Sequence, residues 1–123
     1  FFKSKNVEEL YLKWLPFDGG ACVYPAAEIA KKILDKNGLT NDNISMFCFS
    51  QFAYINIKKI RELLSIDESK SIYIGDEYGY TGTTSPFIVL YEAIKNGKVK
   101  RGDYVIFWTI GSGSQSIVML YKY

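Results

Sequence analysis

A chain of 123 residues, 48% hydrophobic and 23% charged, is long enough to bury a core without staples and too apolar to be a disordered tail. Its 15 basic and 13 acidic side chains leave a formal charge of +2. The lysines, among them Lys31, Lys32, Lys58, Lys59, Lys95, Lys98 and Lys100, are scattered without a basic stripe, which argues against nucleic acid as a partner, and most of the ten Tyr and eight Phe fall at core spacing rather than on a stacking platform.

Residues 1–16 place Val7, Leu10, Tyr11, Trp14 and Leu15 three and four apart and stop at Pro16, which predicts a short amphipathic helix as a separate N-terminal segment. Asp18-Gly19-Gly20 is a turn. After it Val23, Ala26, Ala27, Ala30, Ile33 and Leu34 keep helical spacing, with Lys31, Lys32 and Asp35 opposite and an end at Asn37-Gly38. Pro25 is tolerated in the first turn, where N–H groups lack intrahelical acceptors. Ile44 to Phe49 reads as a mostly buried strand, and Ser50 is placed to cap a helix carrying Phe52, Ile55, Ile60, Leu63 and Leu64 inward and Lys58, Lys59, Arg61 and Glu62 toward water. Ile72-Tyr73-Ile74 is a short β-branched strand that enters the glycine-rich turn Gly75 to Ser85. Pro86 then opens a helix with Phe87, Leu90, Tyr91 and Ile94 facing inward and Asn96-Gly97 at its end. Tyr104 to Ile110 and Ser116 to Tyr121 are strands around the turn Gly111 to Ser114, so the chain closes in a hairpin. The order α-β-α-β-α-β-β predicts an α/β fold with a mixed sheet, parallel through the helical crossovers and antiparallel at the closing hairpin.

A strand that ends in a glycine-rich turn and re-enters as a helix brings backbone N–H groups to the carboxyl edge of a sheet, where open α/β folds hold ligands. Gly75 to Lys100 is therefore the first place to look for a site. Asp76 and Glu77 are adjacent and point apart in an extended turn, so they read as solvated charges and not as an acid/base pair. Gly111 to Ser114 has no helix after it and reads as a hairpin turn, not a phosphate cradle. Cys22 and Cys48 form no disulfide framework and read as core thiols in a reducing, cytoplasmic setting. With no histidine in the sequence, no metal-ligand set has the right spacing, and no cofactor is called for. No apolar run approaches the ~20 residues of a membrane span.

The motifs together resemble the C-terminal half of β-ketoacyl-acyl-carrier-protein synthase III, a condensing enzyme of the thiolase fold. Tyr78-Gly79-Tyr80-Thr81-Gly82-Thr83-Thr84-Ser85-Pro86 is similar to the family's Gly-Asn-Thr-Ser-Ala-Ala-Ser-(Ile/Val)-Pro turn. Glu92-Ala93 through Gly97-Lys98-Val99-Lys100-Arg101-Gly102-Asp103 is similar to its Glu-Ala…Gly-x-Ile-x-x-Gly-Asp. Gly111-Ser112-Gly113 resembles its Phe-Gly-x-Gly turn, and Phe49-Ser50-Gln51 stands where the family has Pro-His-Gln. The resemblance covers residues 17–123. It implies one of two similar halves of a five-layer α/β enzyme, the absent half carrying the nucleophilic cysteine. It also implies that the catalytic positions are Ser50 and Tyr80, which replace a His and an Asn, and that Gln51, Gly79, Thr81, Gly111 and Gly113 line the substrate site. The implied partners are an acyl carrier protein or coenzyme A thioester, and the N-terminal half or a partner subunit in a homo- or hetero-oligomer. The other reading is a non-enzymatic domain that associates through the face an absent half would cover.

Overall fold

The computed structural model describes residues 18–111 and 115–123. The helix expected within residues 1–16 and the turn residues Ser112, Gly113 and Ser114 lie outside them. The elements run α1 (Val23–Lys36), β1 (Ile44–Phe49), α2 (Tyr54–Leu64), α3 (Gly75–Tyr78), α4 (Ser85–Lys95), β2 (Tyr104–Gly111) and β3 (Gln115–Lys122). Among the described residues one sheet has the order β1-β2-β3. β1 and β2 are parallel and β2 and β3 antiparallel, as the helical crossover and the hairpin require.

Two apolar clusters sandwich the strands. On one face Ile44, Phe47, Phe49, Ile106 and Trp108 pack against Val23, Ala26, Ala27, Ala30 and Leu34 of α1 and Ile57, Ile60 and Leu64 of α2. The alanine stripe lets α1 lie close to the sheet. On the other face Met46, Cys48, Val105 and Phe107 pack against Val89 and Ala93 of α4. Side chains alternate along a strand, so neighbouring residues of β1 supply opposite cores.

The structure departs from the sequence-based expectation in several places. Ile72-Tyr73-Ile74 is not a strand. It spans only the gap between a 3-10 turn at Glu68–Lys70 and α3. Its polar needs are met locally: the Ile74 N–H donates to Gln51 Oε1 at 2.8 Å, and the Tyr73 ring lies 5.0 Å from that of Tyr54. In α2 the start falls at Tyr54, with Ala53 and not Ser50 at the cap position, so Phe52 precedes the helix. Ile55 is exposed there and Arg61 buried. Arg61 turns inward because it ties down the following loop, pairing with Glu68 at 2.8 Å and donating to the Ser71 carbonyl. In α4 the buried stripe is Ser85, Pro86, Val89, Glu92 and Ala93, while Phe87 and Tyr91 point outward. The inward face is thus rotated from the one the bulky side chains suggest.

Candidate functional site

β1 and β2 run in the same direction, so their carboxyl ends form one edge. Ser50 is the residue after β1, and its N–H donates to the Trp108 carbonyl at 2.8 Å, which extends the parallel ladder by one step. Its Oγ is buried and has no hydrogen-bond partner. The expected helix-capping role is therefore not the one this hydroxyl takes. Gly111 lies further along the same edge, paired with Gln115 across the hairpin. Gly113 lies outside the described residues.

Gln51 is the hinge pin of the edge. Its side-chain amide donates to the Phe49 carbonyl at 2.8 Å and its Oε1 accepts from Ile74 N–H at 2.8 Å. Its own N–H donates to Ser85 Oγ at 3.1 Å, and that hydroxyl donates to the Gly82 carbonyl at 2.9 Å. The loop after β1, the residues entering α3, and the turn before α4 are thus joined through two buried side chains. A further link is aromatic, with the Phe52 and Tyr80 rings edge to face at 5.4 Å. Tyr80 remains 45% exposed, so its phenol leans over the loop and stays open to solvent.

The turn itself needs its glycines for conformation. Gly79 has φ +68° and ψ −171°, and Gly82 has φ +66°. An L side chain would be strained at either position even though a Cβ would meet nothing within 4 Å. Thr81 closes the turn by accepting from Thr84 Oγ1 at 2.7 Å through its carbonyl. At the far end of α3 the Tyr78 phenol donates to Glu92 Oε1 at 2.8 Å, anchoring the turn to α4. Asp76 and Glu77 are both exposed, within the short helix α3 and not in an extended turn.

The thiols lie in the cores. Cys22 Sγ donates to the Gly19 carbonyl at 3.0 Å and Cys48 is inside β1. Burial raises both thiol pKa values, most strongly at Cys48, so both stay protonated and unreactive. Among the described residues no group of three His, Cys, Asp or Glu side chains could hold a metal ion. None of their helices is long and apolar enough to cross a membrane. A separate open cleft of roughly 380 Å³ between Gly20, Val23, Tyr24, Lys59, Glu62 and Leu63 contains none of the candidate residues.

Sequence reasoning singled out Ser50, Gln51, Gly79, Tyr80, Thr81 and Gly111, and the fold brings them to one sheet edge. It missed the part Ser85 plays in tying the loops together. Ser85 carried a signal, as the last hydroxyl before Pro86 at a helix start.

The family described as 3-oxoacyl-[acyl-carrier-protein (ACP)] synthase III, C terminal, matches residues 34–123. The β-ketoacyl-[acyl-carrier-protein] synthase III of Aliarcobacter butzleri is 33% identical over 93 residues, covering 76% of this chain and 28% of that protein. The Aquifex aeolicus enzyme of the same name is 33% identical over 96 residues, covering 78% and 31%. The crystal structure of the Aquifex aeolicus synthase III superposes with a TM-score of 0.77 at 33% identity, over 82% of this chain and 33% of that one. The Pseudomonas aeruginosa synthase III, at 15% identity and a TM-score of 0.78, shows the same fold. The chain belongs to the synthase III C-terminal family, and it spans about a third or less of the length of these relatives.

Proposed function

We propose that this family member is the C-terminal half of a synthase III-like acyltransferase, handling thioesters of acyl carrier protein or coenzyme A in a fatty-acid or polyketide-type condensation. On this reading the half binds and shapes the site and does not itself drive condensation. Residues 17–123 act as one unit, with residues 1–16 as a separate segment. What supports the reading is the match to the family model over residues 34–123 together with the resemblance of Phe49-Ser50-Gln51 and Gly79-Tyr80-Thr81 to the family's motifs, on which Ser50 and Tyr80 would replace its His and Asn. Condensation develops negative charge that must be met by strong, aimed donors. A serine hydroxyl donates one hydrogen bond but cannot take and return a proton near neutral pH as imidazole does. Tyr80, packed on Phe52, fills space where an asparagine amide would be aimed.

Gly79, Thr81 and Gly111 then shape the floor against the acyl group, and Gln51 holds the two loops in register. The outward Phe87 and Tyr91 of α4, with Ile117, Met119 and Tyr121 of β3, form exposed apolar surface suited to an N-terminal half, since the relatives carry far more chain than this one. The test is a condensation assay on the full-length gene product with acetyl-coenzyme A and malonyl-acyl carrier protein, alongside direct binding of the thioester. Binding without condensation is expected, and Ser50→His combined with Tyr80→Asn should lift turnover above background when a cysteine-bearing half is present. Robust condensation by the unaltered protein would overturn the reading.

A further inference from the structure

The turn between α3 and α4 is fastened at both ends and loose in its middle. At one end the Gly79 N–H donates to the Gly75 carbonyl at 3.0 Å, and the Tyr78 phenol donates to Glu92 Oε1. At the other, buried Ser85 accepts from the Gln51 N–H and donates to the Gly82 carbonyl. Between these anchors the Tyr80 and Thr81 N–H groups have no partner among the described residues, and both residues are exposed. The one aromatic contact of the Tyr80 ring among the described residues is Phe52, edge to face at 5.4 Å.

Glycines with positive φ bracket this loose part, Gly79 at +68° and Gly82 at +66°. A Cβ at either would meet nothing within 4 Å, so no neighbour blocks rotation there, and glycine has the backbone freedom to make it. Swinging the turn outward breaks two ties. One is the ring contact with Phe52, and the other is the exposed bond from Thr84 Oγ1 to the Thr81 carbonyl. Each is worth about tenfold or less in an equilibrium, the second because water replaces an exposed partner. The swung-out form therefore lies within about a hundredfold of the closed one, inside the range in which minor states are populated and used.

In the closed form the Tyr80 ring joins two walls of the sheet edge. Phe52 belongs to the loop that follows β1, and Tyr80 belongs to the turn that precedes α4. We infer that Tyr80 is a hinged flap at the carboxyl edge of β1, swinging at Gly79 and Gly82 while Tyr78 and Ser85 hold its ends. Resting on the thioester reading above, the open form admits ligand, and the apparent affinity is reduced in proportion to the open fraction.

The test labels the full-length gene product with 3-fluorotyrosine and identifies the Tyr80 and Tyr78 fluorine resonances by their absence in Tyr80→Phe and Tyr78→Phe. Relaxation dispersion should show microsecond-to-millisecond exchange at Tyr80 and none at Tyr78, because lid motions occupy that time range and the anchor stays shut. Phe52→Ala removes one of the two ties and should raise the open population about tenfold. Phe52→Leu keeps an apolar side chain without the ring and should act the same way, which guards against a misfolded loop. Acetyl-coenzyme A, followed by calorimetry, should bind Phe52→Ala up to about tenfold more tightly than the unaltered protein. Absence of exchange at Tyr80, equal exchange at Tyr78, or an open population unmoved in both Phe52 variants would overturn the flap. Exchange as expected with acetyl-coenzyme A binding unchanged or weakened would overturn its control of ligand entry. Failure of all these proteins to bind acetyl-coenzyme A would overturn the thioester reading, while the exchange measurements decide the flap by themselves.

Discussion

The two faces of the sheet are built from the same strands but finished differently. On the first, α1 and α2 cover β1 and β2, and even β3 contributes half-buried Val118 and Leu120. On the second, α4 covers β1 and the near part of β2, while Ile117, Met119 and Tyr121 of β3 remain exposed beside Phe87 and Tyr91. Phe107 marks the boundary, buried but with its ring 5.1 Å from Phe87 and 6.3 Å from Tyr121. The first face is organised to hold this chain together. The second is half core and half surface, and the candidate site lies at its edge.

Substitutions inside each core separate the two faces most strongly. Trp108 is fully buried on the first face, packed edge to face on Phe49 at 6.1 Å. Trp108→Ala is expected to cost about 3–5 kcal/mol in urea unfolding. Val89→Ala, beneath α4 on the second face, removes two methyl groups and should cost roughly 2 kcal/mol. Equal costs at the two sites would erase the distinction between the faces.

A finer cut uses neighbours on β3. Leu120→Ser, on the first face, should cost roughly 1–2 kcal/mol from lost apolar burial. Met119→Ser, one residue away and exposed, should stay within about 0.5 kcal/mol of the parent. The order should reverse for association, measured by light scattering against an N-terminal half: Met119→Ser weakens it and Leu120→Ser does not. A matching loss of stability at Met119 would mean that the chain already covers this surface itself.

These features were unequally legible in the sequence. The helical periodicity of Val23 to Leu34 and the hairpin at Gly111 were plain because local pattern and tertiary burial agree there. Phe87 and Tyr91 misled, because their bulk suggested a core stripe while Pro86, Val89 and Ala93, smaller and better suited to close packing on β1, took that place. Ile72 to Ile74 looked like a strand because β-branched residues favour one, but no length remained between the flanking turns for a ladder to form. The glycine-rich turn was visible as a candidate site through its composition. The loop latch through Gln51 and Ser85 was not, because it depends on residues 34 positions apart meeting at one point.

The subtlest difference between the faces is electrostatic. Glu92 is mostly buried on α4, and its carboxyl is held below the usual carboxylate range, first by the hydrogen bond from Tyr78 and then by Lys95 and Asn96, against the opposing effect of burial. Tyr78 in turn is pushed up to about 12, chiefly because its phenol donates to Glu92. The signs follow directly. Glu92 has a depressed folded pKa, so its contribution is present above the ordinary carboxylate range and is lost as pH falls through the folded value. Tyr78 has a raised folded pKa, so its contribution is present below the ordinary tyrosine range and is lost as pH rises through about 12. Tyr78→Phe should therefore flatten both limbs of the stability profile by lowering the neutral plateau toward the values at the two extremes, by a modest amount because the exposed part of the network is screened by solvent. Urea midpoints across the acid and alkaline ranges check this. Hydrogen exchange at Gly79 to Thr84 should quicken in the same variant, since α3 would lose its tie to α4, whereas exchange in α1 should not change. An unaltered acid limb would assign Glu92's depression to Lys95 and Asn96 and leave the turn anchored by Gln51 and Ser85 alone.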